Sequence, residues 1–402
     1  MTSKAELKEE RVHFVFSTNG PVDKGTSGGA VRELQLMKRI GANPHFVVSA
    51  IASKVICKRF RDNNIRANYV IIPSFIDPCN GIANLLDSFL RSIYSLIKPL
   101  PIYSRKTVLH SPSDFLWDTI PSAFKRLKNR DIVWFATVYH IIPSPSHRSG
   151  GLTLSNLIAF FAQRFSLLLI GRWADIIQTE TSYVKEELIH RFGVQAGKIV
   201  VCESGINPVD IDLESRKKLY DACFLARLHQ SKGIFDAISA WALVVKVKKD
   251  AQMAIAGGGS VEVVKEIKRL IAKLGLEKNI SFLGYLSEQE KYDLFLSSKL
   301  YLLPSYEEGI PITFYEAMYC GLPVITYYLQ PYSDIKDNII SVSVGDVNKL
   351  SETILMVLSN ADLSAEFIRK GLIFSKEHTW NGVAEYIVKE IFKTYQKELS
   401  FG

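Results

Sequence analysis

Cysteine is scarce and scattered in this sequence of 402 residues: Cys57, Cys79, Cys202, Cys223 and Cys320. No Cys-x-x-Cys or Cys/His spacing links them, so nothing suggests zinc. An odd, dispersed set points to a reducing cytoplasm rather than a disulfide scaffold. Long apolar runs are also lacking. The most apolar stretch, Leu152 to Ile170, is interrupted by Asn156, Gln163 and Arg164, which argues against a spanning helix and reads as a helix buried in a domain. The segment Met1 to Arg11 is charged and polar, so no signal peptide is expected. There is no Gly-x-Gly-x-x-Gly or Walker loop, no short repeat and no low-complexity tract. The remaining composition, 47% hydrophobic and 22% charged, is that of a soluble globular protein. The length is too great for one ordinary core, and two domains are expected.

Acidic residues are sparse in the first half. Residues 1–207 hold 26 lysines and arginines against 16 acidic residues, a net of +10, whereas the remainder is −2. Such asymmetry points to an anionic partner for the first half: a membrane surface, a lipid pyrophosphate or nucleic acid. Ordinary solubilising charge gives the same count.

Strand and helix patterns alternate along the whole chain, which predicts α/β architecture with parallel sheets. Predicted strands lie at 12–16, 45–48, 67–72, 132–137, 176–178 and 199–201. A helix is expected at 29–40 and another at 153–173. Residues 205–210 read as a linker. Strands at 222–225, 252–256, 280–283, 300–303 and 324–327 then alternate with helices at 233–245 and 261–274. A helix follows Pro311, and three more, at 349–358, 365–374 and 380–397, close the chain. The whole reads as two Rossmann-like halves in series.

Chemistry is concentrated in Pro304-Ser-Tyr-Glu-Glu-Gly-Ile-Pro-Ile-Thr-Phe-Tyr-Glu316. A buried strand precedes it and a helix starts near Pro311, which suits a first turn. Glu308 falls in the connecting loop and Glu316 about one turn into the helix. A helix N-terminus of this kind attracts phosphate. A carboxylate beside it repels phosphate and accepts hydrogen bonds from hydroxyls instead. The pair implies a ligand with both parts, a nucleotide-sugar. Upstream, Ala226-Arg-Leu-His-Gln-Ser-Lys-Gly233 places Arg227 and Lys232 in a strand-to-helix loop, where open α/β sheets bind ligands. A guanidinium fork and a lysine point charge there suit a diphosphate.

The spacing of Glu308 and Glu316, with the continuation Ala317-Met-Tyr-Cys-Gly-Leu-Pro-Val-Ile325, resembles the signature of the "glycosyl transferases group 1" family. Arg227, Leu228, Lys232 and Gly233 resemble its Gly-Arg-Leu…Lys-Gly motif, with Ala226 in place of the first glycine. The resemblance is strongest from 225 to 325 and weakest from 63 to 149, on the acceptor side. It implies a GT-B fold, two Rossmann-like domains facing across a cleft. One would span residues 1–207, joined by a final helix at about 380–402 that crosses back onto it. The nucleotide-sugar-binding domain would span 208–379. It also implies that Glu308 holds donor-sugar hydroxyls and Glu316 the ribose. Gly309, Ile310 and Pro311 complete the donor loop. The family often has glycine where Pro311 stands, and proline offers no N–H, so the amides of Ile312 and Thr313 would meet phosphate.

Further residues enter by the same resemblance. Gly28 and Gly29 match a Gly-Gly loop that faces the donor phosphates and the acceptor. His140, beyond the strand ending near Thr137, matches a histidine that contacts the donor sugar. Tyr285 lies where family members pass the nucleotide base, and Gly257 of the Gly257-Gly-Gly259 turn where a nucleotide approaches the backbone. Plain turns explain these glycines equally well.

The implied activity is transfer of a sugar from a UDP- or GDP-sugar to a hydroxyl of a glycan or lipid-linked acceptor. The anomeric configuration is retained, without metal or other cofactor. Asp210-Ile-Asp212 spells a metal-binding Asp-x-Asp, but falls in the linker and reads as chance. The alternatives are a sugar-nucleotide epimerase of similar fold and a non-catalytic glycan- or nucleic-acid-binding protein. No interleaving of basic and aromatic residues on a sheet face supports nucleic acid. An apolar stripe of helical period, Ile82, Leu85, Leu86, Phe89, Leu90, Ile93, Tyr94 and Ile97, fits either a helix buried against the first sheet or one lying on an anionic membrane. A peripheral position on the inner face of a cytoplasmic membrane is the corresponding expectation.

Overall fold

The structure is a computed structural model that describes residues 11–20, 27–77, 81–101, 106–147, 151–209, 213 and 217–400. Two compact units emerge. One comprises the chain up to Glu203 together with Trp380 onward, and the other is Ser204–Thr379.

In the first unit the chain runs β1 (Val12–Ser17), α1 (Gly28–Ala42), β2 (Phe46–Ser53), α2 (Lys54–Asp62), β3 (Asn68–Ile72), α3 (Gly81–Ile97), β4 (Thr107–Ser111), α4 (Leu116–Lys128), β5 (Ile132–Val138), α5 (Leu154–Trp173), β6 (Ile176–Thr179), α6 (Ser182–Phe192) and β7 (Ile199–Val201). The strands form one parallel sheet in the order β3-β2-β1-β4-β5-β6-β7. Both faces are covered, so β1 and β5 are buried along their whole length and read as near-continuous apolar runs. Right-handed crossovers put α1 and α2 on one face and α3 to α6 on the other.

The second unit runs β8 (Ala222–Leu225), α7 (Ile234–Val247), β9 (Met253–Ala256), α8 (Val261–Lys273), β10 (Ile280–Gly284), α9 (Glu288–Leu296), β11 (Tyr301–Leu303), α10 (Ile312–Tyr319), β12 (Val324–Tyr327), β13 (Ile340–Val342), α11 (Val347–Ser359) and α12 (Ala361–Glu377). Its parallel sheet has the order β10-β9-β8-β11-β12-β13. Residues such as Trp241, Tyr301, Tyr315 and Tyr327 fill its core without exposure.

The last helix, α13 (Trp380–Ser400), belongs with the first unit. Phe392 packs on Phe46 at 5.7 Å between ring centroids, and Arg39 of α1 donates to Asn381 at 2.6 Å.

Two strands, β4 and β13, and four helices, α2, α4, α6 and α9, have no counterpart among the predicted elements. β4 is five residues, Thr-Val-Leu-His-Ser, too short and polar to announce itself. α4 contains Pro121, a residue that argues against a helix interior.

The helix over Leu152–Ile170 differs from the buried one expected. α5 is long and apolar enough to cross a membrane, but only 22% of its most apolar window is buried. Its inward face includes Gln163 and Ser166 as well as Leu167 and Ile170, and its outward face is apolar. Apolar residues all round a helix hide which side is covered. The polar residues on the inner side decide it.

Candidate functional site

The second unit's sheet reverses its order between β8 and β11. Loops leaving the carboxyl ends of two such strands border the crevice where open α/β sheets take ligands. These two loops carry Arg227 and Lys232 on one side and Glu308 on the other. Gly233 locks them together. Its φ is +69°, and a Cβ there would stand 1.8 Å from the Pro304 carbonyl oxygen, so only glycine fits. Tyr306 N–H donates to the Ser231 carbonyl at 2.8 Å. The hydroxyls of Tyr306 and Tyr327 both donate to one oxygen of Asp236 at the start of α7, at 2.5 and 2.6 Å.

With the loops fixed, Lys232 and Glu308 form an ion pair. Arg227, in the same loop as Lys232, is exposed and has no ion pair among the described residues. His229 between them is held below its usual range by burial and then by the charges of Arg227 and Lys232.

α10 begins behind Pro311, which occupies the N-cap and accepts from Phe314 N–H at 2.9 Å. The amides of Ile312 and Thr313 belong to the first turn, which has no intrahelical acceptors to offer them. The Thr313 hydroxyl lies 2.9 Å from that of Tyr301. Ile310 is buried in the core, leaving only its backbone for a ligand, while Gly309 is half-buried in the loop. Glu316 sits one turn further on and is buried. Lys291 of α9 donates to it at 2.6 Å and to Glu288 at 2.8 Å. Burial pushes the Glu316 carboxyl up, and Lys291 opposes this.

Gly257 has a structural duty of its own. Its φ is +136°, and a Cβ would meet the Ala226 carbonyl at 1.8 Å. Gly258, by contrast, borders open space with only the Tyr285 ring at 3.9 Å, and Tyr285 is 72% exposed. An aromatic face next to a bare backbone is a surface on which a planar base stacks.

In the first unit Gly28 and Gly29 open α1 behind the N-cap Ser27. The Tyr139 ring lies on Gly29, 3.3 Å from where a Cβ would be. Glu33, one turn later, accepts from the Tyr139 hydroxyl at 2.8 Å and bonds His110 at 2.7 Å. Burial holds the Tyr139 phenol well above its usual range, so it stays the donor. His140 follows β5 and is half-buried. Gln163 of α5 donates to its carbonyl at 2.7 Å and to Asp114 at 2.6 Å, and accepts from Ile142 N–H at 2.7 Å. Burial pushes the Asp114 carboxyl up, opposed by His140. The rest of the glycine loop, residues 21–26, lies outside the described residues, as do Asp210 and Asp212. Among the described residues no three His, Cys, Asp or Glu side chains gather as a metal site.

Each unit thus brings its own predicted residues to the carboxyl edge of its own sheet. Lys291, Asp236, Tyr306, Glu33 and Gln163 were not among the predicted ones. Ser287 and Glu290 form a capping box, with both reciprocal bonds present. That Ser-x-x-Glu signal announces α9 and would place Lys291 on it. No local pattern announces Asp236 or Gln163.

The architecture is that of GT-B proteins. Anabaena HepE, in a structure with UDP-glucose, matches with a TM-score of 0.70 over 95% of this chain and 100% of its own, at 16% identity. Sucrose-phosphate synthase from Thermosynechococcus elongatus matches with a TM-score of 0.70 over 98% and 100%, also at 16%. Such likenesses define the fold. Residues 209–372, within the second unit, match the model of the family described as Glycosyl transferases group 1. A GDP-mannose-dependent monoacylated alpha-(1-6)-phosphatidylinositol monomannoside mannosyltransferase of Corynebacterium glutamicum is 28% identical over 223 residues, 49% of this chain and 56% of its own length. The amylovoran biosynthesis glycosyltransferase AmsK of Erwinia amylovora is 32% identical over 143 residues, 33% and 35% of the two chains. The chain spans about half the length, or less, of these curated relatives.

Proposed function

We propose that this protein transfers a sugar from a nucleotide-sugar donor to a hydroxyl of a glycan or lipid-linked acceptor, with retention of configuration. The observation that carries the reading is the meeting of Lys232 with Glu308 where the second sheet reverses, beside the exposed Arg227.

A diphosphate entering this crevice competes with Glu308 for Lys232. Once displaced, the lysine and Arg227 neutralise the charge that grows on the leaving diphosphate, and first-turn amides of α10 add fixed dipoles. These cations do what a divalent ion does in other transferases, so activity does not require added metal. The freed Glu308 accepts hydroxyls of the transferred sugar. Glu316, held at one oxygen by Lys291, accepts ribose hydroxyls with the other, and Tyr285 stacks on the base. The nucleotide-sugar is the substrate and no further cofactor takes part. Among the described residues no side chain at this site is set up as a nucleophile with a base behind it, which favours attack on the same face as departure. In the first unit, His140 meets the donor sugar, and Gly28 and Gly29 the donor phosphates and the acceptor.

Incubation with a panel of UDP- and GDP-sugars in excess EDTA, without acceptor, tests the reading. Slow hydrolysis of one donor is expected. Absence of both hydrolysis and nucleoside-diphosphate binding across the panel overturns it, and conversion of the donor to an epimerised sugar points to the epimerase instead.

A further inference from the structure

A surface helix ordinarily buries its apolar stripe and gives its polar side to water. α3 does the reverse. Asp87, Ser88, Arg91, Ser92 and Ser95 are buried, whereas Leu85, Leu86, Phe89, Ile93 and Ile97 face outward, Ile97 at 80% exposure. Much of the inward polar side is bonded, although Asn84 Oδ1 and Arg91 Nη1 are buried without a hydrogen-bond partner. Asp87 pairs with Arg91 at 3.0 Å and accepts from the Phe75 and Ile76 amides at 2.7 and 3.1 Å, and Ser95 donates to Asn19 at 2.5 Å. The orientation is therefore built in.

α5 repeats the pattern. Leu154, Ile158, Phe161, Phe165 and Leu168 recur at intervals of four, three, four and three, so they form one stripe. All are exposed, Leu154 at 74% and Phe161 at 64%. Beneath them Gln163 is tied to Asp114 and the His140 carbonyl, and Ser166 donates to Thr119 at 2.6 Å. α4 packs against both helices, so the three lie side by side in one layer, and α4 adds Phe124 and Leu127 to the outer surface.

The charge on this layer has one sign. The carboxylates of the three helices are Asp87 and Asp118, both buried. The exposed charges are Lys128 and Arg172, with Arg164 half-buried, as is Arg126, which pairs with Asp175 beyond α5. Lys128 lies over the Phe124 ring at 4.5 Å and Arg164 over Phe160 at 3.2 Å, cations carried on apolar bodies in the manner of side chains at a membrane interface.

We propose that the outer surface of α3, α4 and α5 seats the protein on an anionic lipid bilayer, with the apolar stripes among the acyl chains and the cations at the headgroups. A two-fold pairing of this face with a second copy would set basic rims against each other, so the charge selects the lipid. α5 lies along the surface rather than crossing, because its inner side is packed on α4. The inference deepens the proposed function by making the acceptor membrane-borne, yet it rests on the first unit alone.

Co-sedimentation of the full chain with vesicles of phosphatidylcholine, with and without phosphatidylglycerol, tests it. Partition onto the anionic vesicles is expected to be at least about ten-fold stronger, and to weaken but not vanish in high salt. Phe161→Asp with Phe165→Asp should lower it at least about ten-fold while the nucleoside diphosphate still binds in calorimetry. In the unaltered chain, brominated lipid should quench tryptophan fluorescence through Trp117 on α4 and Trp173 on α5, which needs no folded variant. No partition and no quenching, or a dimer that the same substitutions dissolve without any vesicle binding, overturns the proposal. Vesicle binding that survives while every nucleotide fails to bind leaves this surface standing and sinks the donor reading.

Discussion

The two units place their charged side chains in opposite ways. In the second, cations and carboxylates pair at the open end of the sheet: Lys232 with Glu308, Lys291 with Glu316. In the first, Arg32, Arg91 and His110 bond carboxylates beneath the surface, while pairs such as Arg191 with Glu187 lie outside. Arg32 is fully buried, bonded to Glu180 at 3.1 Å and to the carbonyls of Glu203 and Cys202 at 3.0 and 2.7 Å, while large apolar residues face outward on α3 and α5. The second unit's pairs can exchange partners with a ligand. The first unit's pairs hold helices to strands so that other residues are presented outside. The same chemistry serves the proposed recognition in one unit and scaffolding in the other.

The largest test of this contrast is Arg32→Met. Removing one member of a buried pair costs about 3–5 kcal/mol of stability, because Glu180 and two carbonyls lose their partner. Urea denaturation should show that loss, and saturating nucleoside diphosphate should bind the folded variant with unchanged affinity. A weakened affinity would mean that the first unit's buried network also serves the ligand, and the contrast would break.

Next comes Glu308→Gln. Loss of an interaction made with the transferred sugar should lower turnover on the order of 10²-fold, the scale seen when one preorganised hydrogen bond is removed from a reacting centre. Affinity for the free nucleoside diphosphate should hold or rise, since Lys232 no longer has a competing carboxylate. Lys232→Ala should weaken that affinity by about 1.5–3 kcal/mol, as for a charge-assisted hydrogen bond. Isothermal titration with the diphosphate and single-turnover kinetics with the donor separate the two. Equal loss of affinity in both variants would show that the ion pair is structural, like that of Arg32.

The same contrast explains what the sequence discloses. In the second unit the proposed donor contacts lie in two short segments, each a strand followed by a loop and a helix. Arg227, Lys232, Glu308 and Glu316 could be placed from the sequence because strand, loop and helix fix where each lies. The predicted strands at 222–225 and 324–327 match β8 and β12 residue for residue. Lys291 and Asp236 escape because their partners lie 25 and 70 or more positions away. In the first unit the informative property is which side of a helix is covered. Periodicity identifies the stripe on α3 but is blind to its direction, since a stripe turned inward and one turned outward have the same spacing. Only the buried Asp87, Arg91 and Ser95, held by groups distant in sequence such as Asn19, reveal it.

The smallest expected effect concerns pH, and it separates the two units by what protons change. Asp118, buried at the start of α4 and bonded by Thr18, Ser113 and the Asn19 amide, is pushed up to about 6 from 3.8, by burial above all. Its folded state therefore holds the proton more tightly than the unfolded chain, and this group lowers stability as pH rises from about 4 to 6. His13, buried in β1 and 2.9 Å from the Ser49 hydroxyl, is pushed down to about 4 by burial. Its folded state favours the neutral ring, so it raises stability across nearly the same window. The two slopes oppose each other and partly hide one another in the unaltered protein. Asp118→Asn keeps an acceptor for the Asn19 amide and removes one slope, so stability should then climb with pH between about 4 and 6, by on the order of 2 kcal/mol relative to the parent. His13→Gln should tilt the curve the other way. Urea midpoints measured across that range check both, and a curve that Asp118→Asn leaves parallel to the parent's would show that this carboxyl is not held protonated by the fold. In the second unit, where the charged groups lie at the proposed donor site, pH should instead move nucleotide affinity, through the buried Glu316, whose carboxyl burial also pushes up.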